Sequence, residues 1–245
     1  NNTKELVATD TNYDIEGELI RSPNNKKVIA IRIISSGLKT IYFDKKSEEI
    51  QKDIDNSLKN TTNIIVSYAD NRILVLSFNT NIAPRYYLYE SKTKKVHEVA
   101  DVYPDLNSFT FATTDKVIIP TTDGLVMEAY LTQPNTNINI PSRTIIFPHG
   151  GPWSRDFNTF NLWTQFLANR GWTVLQVNFR GSTGFGEDYL RQGFKQWGLK
   201  MQDDLNVALK WAIENNLTDK NKVCLVGASY GGYASLMGVI KYPDL

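Results

Sequence analysis

Apolar residues in the first hundred positions come in short runs. VIAIRII (28–34), TIYFD (40–44), NIIVSY (63–68), ILVLSF (73–78) and YYLYE (86–90) are separated by stretches rich in Asn, Asp, Gly and Lys. Runs of this length, dense in β-branched and aromatic residues and bounded by turn formers, predict β-strands. The pattern also repeats. Laying SPNNKKVIAI (22–31) over SYADNRILVL (67–76) sets Ser22 on Ser67 and Val28 on Ile73, an offset of 45 residues. IYFD (41–44) then falls on YLYE (87–90) with an offset of 46, the intervening loop being one residue longer. A period of about 40–50 residues with about four short strands is that of a β-propeller blade. Two blades cannot close a propeller, so the expectation is either that more blades precede Asn1 or that this region is a small open β-layer. The Lys-rich stretches KKSEE (45–49) and SKTKK (91–95) read as solvated loops.

From 116 onward strands alternate with helices, the rhythm of a mainly parallel α/β sheet. KVIIP (116–120) and LVMEAYL (125–131) flank the turn TTDG as a hairpin, and SRTIIF (142–147) is the next strand. Phe160, Trp163, Phe166 and Leu167 recur at helical spacing, with Gly171 placed as a C-terminal cap. WTVLQVN (172–178) is a buried strand. Leu205, Ala208, Leu209, Ala212 and Ile213 then mark an amphipathic helix. KVCLVG (222–227) is a further strand, running into a sharp turn and the helical stretch YASLMGVIKY. Cys224, inside that apolar strand, is expected to be a packed thiol. Twelve of the 15 glycines and all five tryptophans lie beyond position 149, which supports two different architectures joined at the turn-rich segment 104–115. The boundary is set near 110, giving a β-repeat region over 1–110 and an α/β region over 111–245.

Composition narrows the classes. Hydrophobic residues at 41% and charged residues at 22% are ordinary for a globular chain, and 27 basic against 26 acidic side chains leave no footprint for a nucleic acid or an anionic membrane. The single cysteine excludes an internal disulfide framework, and no run approaches the roughly 18 apolar residues of a membrane span. The compartment stays open, with the cytoplasm ahead of the periplasm.

Candidate chemistry is concentrated at two places. Gly227-Ala228-Ser229-Tyr230-Gly231 matches G-x-S-x-G, the strand-to-helix turn that projects a nucleophilic serine above a sheet. The apolar strand before it and the helix after it are the context this turn requires; the alternative is an ordinary Gly-rich turn. His149-Gly150-Gly151-Pro152 follows an earlier strand, where a Gly-rich loop supplies an oxyanion-hole amide. Gly151 and Tyr230 are the expected amide donors, and a tight turn ended by proline is the bland alternative. His149 precedes Ser229, whereas the triad of this fold runs Ser, Asp or Glu, then His, so it is expected to shape the loop and not to act as base. His97 is expected to be solvated. No histidine and one carboxylate, Asp244, follow Ser229, so a complete triad is not visible. RGSTGFG (180–186) departs from nucleotide-binding fingerprints and reads as a loop over the active-site face, with Arg180 either in a buried ion pair or touching substrate. Asp203 and Asp204 suit a helix start, and no metal or cofactor is expected.

HGGPW, NFRGSTGFG, KMQDDL and GASYGGYA, in that order and spacing, resemble the prolyl oligopeptidase family of serine peptidases, and most of all its acylaminoacyl-peptidase and dipeptidyl-aminopeptidase branch. The resemblance covers about 116 to 245 strongly and extends weakly back through RYYLYESKTKK (85–95). It implies a β-propeller capping an α/β-hydrolase domain, hydrolysis of short peptides, Ser229 as nucleophile, and amides of Gly151 and Tyr230 as oxyanion donors. It also implies a triad acid and histidine well beyond the nucleophile and further blades before Asn1. On that basis the chain looks like an internal piece, inactive by itself, whose open sheet edge is covered by a further segment or a second copy. A carboxylesterase of the same fold and a catalytically silent binding module are the competing readings.

Overall fold

The computed structural model describes residues 4–22, 26–135 and 141–244. These form two compact units, one of Ile15–Thr110 and one that joins the N-terminal segment up to Asp14 to the chain from Phe111 onward. Residues 4–14 therefore belong with the α/β unit and not with the β-repeat region, where a single boundary near 110 had placed them. Their anchor is Tyr13, whose hydroxyl donates to the buried Glu128 carboxylate.

The unit Ile15–Thr110 holds two antiparallel sheets. β1 (Glu16–Arg21), β2 (Val28–Ile34) and β3 (Leu38–Tyr42) form the first, and β4 (Thr62–Ala69), β5 (Arg72–Asn79), β6 (Ile82–Glu90) and β7 (Lys95–Asp101) the second. The repeat read from the sequence appears as two meanders, with β2 and β5, and β3 and β6, at matching places in their sheets. Its Pro23–Asn25 portion lies outside the described residues. The first meander has no counterpart of β7. In its place the chain forms helix α1 (Lys45–Ser57), so KKSEE is the first turn of a helix and not a loop. The Asp44 carboxylate caps it by accepting the Ser47 amide at 2.9 Å, and Ile50 and Ile54, one turn apart, face a core of Ile65, Ile73, Val75 and Tyr89. The lysines are the wet side of an amphipathic helix.

The second unit is built on a five-stranded sheet. β8 (Thr114–Pro120), β9 (Val126–Thr132), β10 (Ser142–Pro148), β11 (Thr173–Val177) and β12 (Thr218–Leu225) stand in the order β12-β10-β11-β9-β8. β12/β10 and β10/β11 are parallel, while β11/β9 and β9/β8 are antiparallel. The sheet is thus mixed where a mainly parallel one was expected, because the hairpin β8–β9 joins the parallel strands edge-on. Helices α2 (Leu162–Ala168), α3 (Glu187–Arg191), α4 (Lys200–Glu214) and α5 (Tyr230–Lys241) complete the unit. Leu205, Ala208, Leu209 and Ala212 of α4 pack against Ile146 and Leu175 of the sheet.

The helix read from Phe160, Trp163, Phe166 and Leu167 forms as α2, with Trp163 and Phe166 exposed and Thr164, Gln165 and Ala168 buried. Gln165 decides this orientation, since its amide both accepts from the Ala112 N–H at 2.9 Å and donates to the Ala112 carbonyl at 2.8 Å. Cys224 is exposed, not packed, because β12 is the edge strand and the face it lies on is open. Leu236, Val239 and Ile240 of α5 are exposed as well.

Candidate active site

β12 delivers the chain into Gly227-Ala228-Ser229, and α5 begins at Tyr230. Ser229 sits at φ 56, ψ −125, a conformation that costs a non-glycine residue about 1–3 kcal/mol and persists only where packing imposes it. The packing is visible at its two glycines. A Cβ on Gly231 would lie 2.2 Å from the Pro148 carbonyl oxygen, and one on Gly227 would lie 2.6 Å from the Gly231 carbonyl carbon. The turn closes only because both positions lack a side chain. Ser229 itself is exposed, and its hydroxyl does not cap the helix. The next residue, Tyr230, has its amide in the first helical turn, where backbone N–H groups have no partner within the helix. Its ring is buried against Phe179 at 5.5 Å, Trp197 at 5.0 Å and Tyr233 at 5.6 Å between ring centroids, which fixes the turn from below.

The end of β10 brings the His149-Gly150-Gly151 loop beside this turn. A Cβ on Gly150 would be 3.6 Å from the Ser229 Cβ and 3.4 Å from the Ala228 carbonyl oxygen. Gly151 has φ 119, open to glycine alone, and its N–H donates to no acceptor among the described residues. His149 is buried and stacks on Phe179 with ring centroids 4.4 Å apart. Its Nδ1 is 2.7 Å from the Gly150 carbonyl oxygen and its Nε2 is 2.9 Å from Ser182 Oγ. Burial lowers its pKa to about 4, so the imidazole is neutral near pH 7. Neither ring nitrogen bonds Ser229. The other histidine, His97, is exposed on β7 in the other unit.

Arg180 is buried, and its guanidinium is committed to two carboxylates. Nε donates to Asp204 at 2.8 and 3.0 Å, Nη2 to Asp204 at 2.7 Å and Asp123 at 3.2 Å, and Nη1 to Asp123 at 2.9 Å. The backbone N–H of Arg180 adds a further bond to Asp204 at 2.8 Å. Of the two roles considered for Arg180, the geometry supplies the ion pair: it ties the loop 180–186 to α4 and to the hairpin turn, and holds the Asp123 carboxyl far below the usual carboxylate range. Asp204 is the buried partner, whereas Asp203 faces Lys241 and Tyr242.

Three participants escaped the sequence reading. Ser182 lies in a stretch read only as a loop, and nothing in its local sequence points to His149, 33 residues away. Asp123 looked like a plain hairpin-turn residue, although it lies 57 positions from the arginine it binds. Asp156, just past the loop, has a buried Oδ2 with no hydrogen-bond partner, and burial pushes its pKa up to about 7. Its adjacency to HGGPW was the available signal. Among the described residues no group of three or more His, Cys, Asp and Glu is arranged to hold a metal ion, and no helix is long and apolar enough to cross a membrane.

Comparison with known proteins adds the following. Residues 158–245 match the model of the prolyl oligopeptidase family. Dipeptidyl aminopeptidase BIII of Pseudoxanthomonas mexicana is 36% identical over 183 residues, covering 71% of this chain and 27% of that protein. The acylamino-acid-releasing enzyme of Sus scrofa is 35% identical over 125 residues, covering 49% of this chain and 17% of that protein. The chain thus spans about a quarter or less of the length of these relatives. In fold it is similar to the acylaminoacyl peptidase of Pyrococcus horikoshii, with a TM-score of 0.66 at 19% identity over 94% of this chain and 36% of that one.

Proposed function

Taking as premise that residues 158–245 belong to the prolyl oligopeptidase family, we propose that this chain carries the nucleophilic half of a serine peptidase acting on short peptides. Ser229 Oγ attacks the scissile carbonyl carbon, the Oγ proton passes to a general base that hands it on to the leaving amine, and water, activated by the same base, hydrolyses the resulting acyl-enzyme to release the acid and regenerate Ser229. The Gly151 and Tyr230 amides donate to the developing oxyanion, each contributing roughly 3 kcal/mol to the barrier reduction. The observation that carries this reading is Ser229 itself: a serine held at φ 56 between two glycines that tolerate no Cβ, with the Gly150–Gly151 loop against its side. The names of the relatives point to removal of dipeptides or acyl-amino acids from peptides.

No histidine is hydrogen-bonded to Ser229 among the described residues, so the base is not supplied by them, and residues 1–245 in isolation are proposed to be inactive. The edge of β12, with exposed Leu236, Val239 and Ile240 beside it, is proposed to be covered by further polypeptide or by a second copy. Two buried acceptors without partners, Gln202 Oε1 and Asn206 Oδ1, belong to residues that line the same 270 Å³ groove and support a covering segment that brings N–H donors. The test of the catalytic reading is labelling of the intact enzyme with a fluorophosphonate, followed by mass mapping. An adduct on the Ser229 peptide, lost in Ser229→Ala, is the expected result. Normal labelling of Ser229→Ala overturns it. Turnover of an ester together with failure on the matching peptide amide would favour an esterase.

A further inference from the structure

The oxyanion loop poses a question of proton inventory. A carbonyl oxygen only accepts, so the 2.7 Å contact between His149 Nδ1 and the Gly150 oxygen requires Nδ1 to carry the hydrogen. In the neutral ring Nε2 is then an acceptor, and the group facing it at 2.9 Å is the Ser182 hydroxyl. That hydroxyl donates to the Phe179 carbonyl at 2.6 Å, which also receives the Ser182 N–H at 3.0 Å. The single proton of the Ser182 hydroxyl is thus committed to the Phe179 carbonyl, and the Nδ1–H tautomer is set by the Gly150 carbonyl. Stacking on Phe179 fixes the plane of the ring.

The carbonyl gripped by Nδ1 belongs to the same peptide unit as the Gly151 N–H. The Gly150–Gly151 bond is trans, so its C=O and N–H point in opposite directions. Two adjacent glycines carry no side chain to hold that plane, and Gly151 sits at φ 119. We propose that His149 is the positioning residue of the oxyanion loop: its Nδ1–H holds the Gly150 carbonyl and thereby aims the Gly151 N–H, at the other end of the same peptide plane, toward the oxyanion on Ser229. The inference rests on Ser229 being the nucleophile. It assigns His149 no proton transfer with substrate.

Asparagine and glutamine separate the two ring nitrogens. In His149→Asn the new amide nitrogen takes the bond position of the imidazole Nδ1, whereas in His149→Gln the amide nitrogen reaches only the place of Nε2. In the intact enzyme, His149→Gln is expected to slow the first-order phosphonylation of Ser229 by a fluorophosphonate about 10²-fold with its saturation constant little changed, the signature of a lost transition-state donor. His149→Asn is expected to recover most of that rate with the wild-type pH profile. Equal rates for His149→Gln and wild type, or no recovery in His149→Asn, overturn the assignment. A catalytic base at His149 would instead leave both variants inactive and remove an ionisation from the profile. Crystal structures of the two variants supply a readout independent of activity. The Gly150 carbonyl should keep its direction in His149→Asn and turn away in His149→Gln, and an unturned carbonyl in His149→Gln sinks the proposal even if Ser229 proves not to be the nucleophile.

Discussion

Replacing Asp204 by alanine removes the buried partner of Arg180. Asp204 is 1% exposed and accepts four hydrogen bonds from Arg180, three from the guanidinium and one from the backbone amide. What remains is an arginine 3% exposed whose other carboxylate among the described residues, Asp123, lies at the surface. Removing one member of a buried pair costs about 3–5 kcal/mol, mostly because the other charge stays behind without compensation. Asp123 offsets part of this, so a loss of about 3 kcal/mol is expected, or roughly 6–12 °C in melting temperature for a unit of this size. Asp123→Ala, which leaves the buried contact intact, should cost under about 1 kcal/mol. Urea unfolding followed by tryptophan fluorescence is the appropriate assay, because all five tryptophans lie in the α/β unit and the signal reports that unit alone. Replacing Arg180 by Met and Asp204 by Leu together should cost less than Asp204→Ala, since no buried charge is stranded. A loss below about 1 kcal/mol for Asp204→Ala would show that water reaches Arg180 and that the loop 180–186 is not held as described.

Other outcomes follow from the same geometry. Gly231→Ala places a methyl 2.2 Å from the Pro148 oxygen, so the backbone must move; fluorophosphonate labelling of Ser229 should fall at least about tenfold, and unchanged labelling would refute the tight turn. Asp156 has a folded pKa raised to about 7 against an unfolded value near 4, so the folded state binds the extra proton and stability should fall as pH rises from about 4 to 7, then level off. Asp156→Asn should remove that slope and be the more stable protein at pH 8, a comparison that urea midpoints at several pH values decide. In the intact protein the Cys224 peptide should resist a thiol reagent under native conditions if the β12 edge is covered, and rapid modification would show that edge to be bare.

What the sequence revealed was governed by short-range rules. The G-x-S-x-G turn and the HGGP loop were legible because glycine at fixed spacing reports backbone geometry directly, and Gly227 and Gly231 do approach neighbouring backbone as that spacing implied. The 45-residue repeat was legible because the two meanders share one strand periodicity over their matching strands, although the first lacks a counterpart of β7. KKSEE was misread because its lysines dominate the local composition while Ile50 and Ile54, which make the helix amphipathic, come just after. The outward face of α2 could not be found by periodicity at all. Its orientation is set by Gln165 meeting the backbone of Ala112, 53 residues earlier. The same holds for Arg180 with Asp123 and for His149 with Ser182, where polar partners meet through the tertiary fold and leave no local trace.

The membership of Tyr13 in the α/β unit has a consequence for biosynthesis. Its partner Glu128 is 115 residues further along, with the whole Ile15–Thr110 unit between them. At ribosomal rates of about 5–20 residues per second, that interval lasts roughly 6–23 s. The segment carrying Tyr13 emerges before its docking strand and waits while an intervening β-rich unit is made and can fold. The α/β unit is therefore discontinuous in time as well as in sequence, and its first piece is a segment that nascent-chain factors can reach before the strand that will hold it exists.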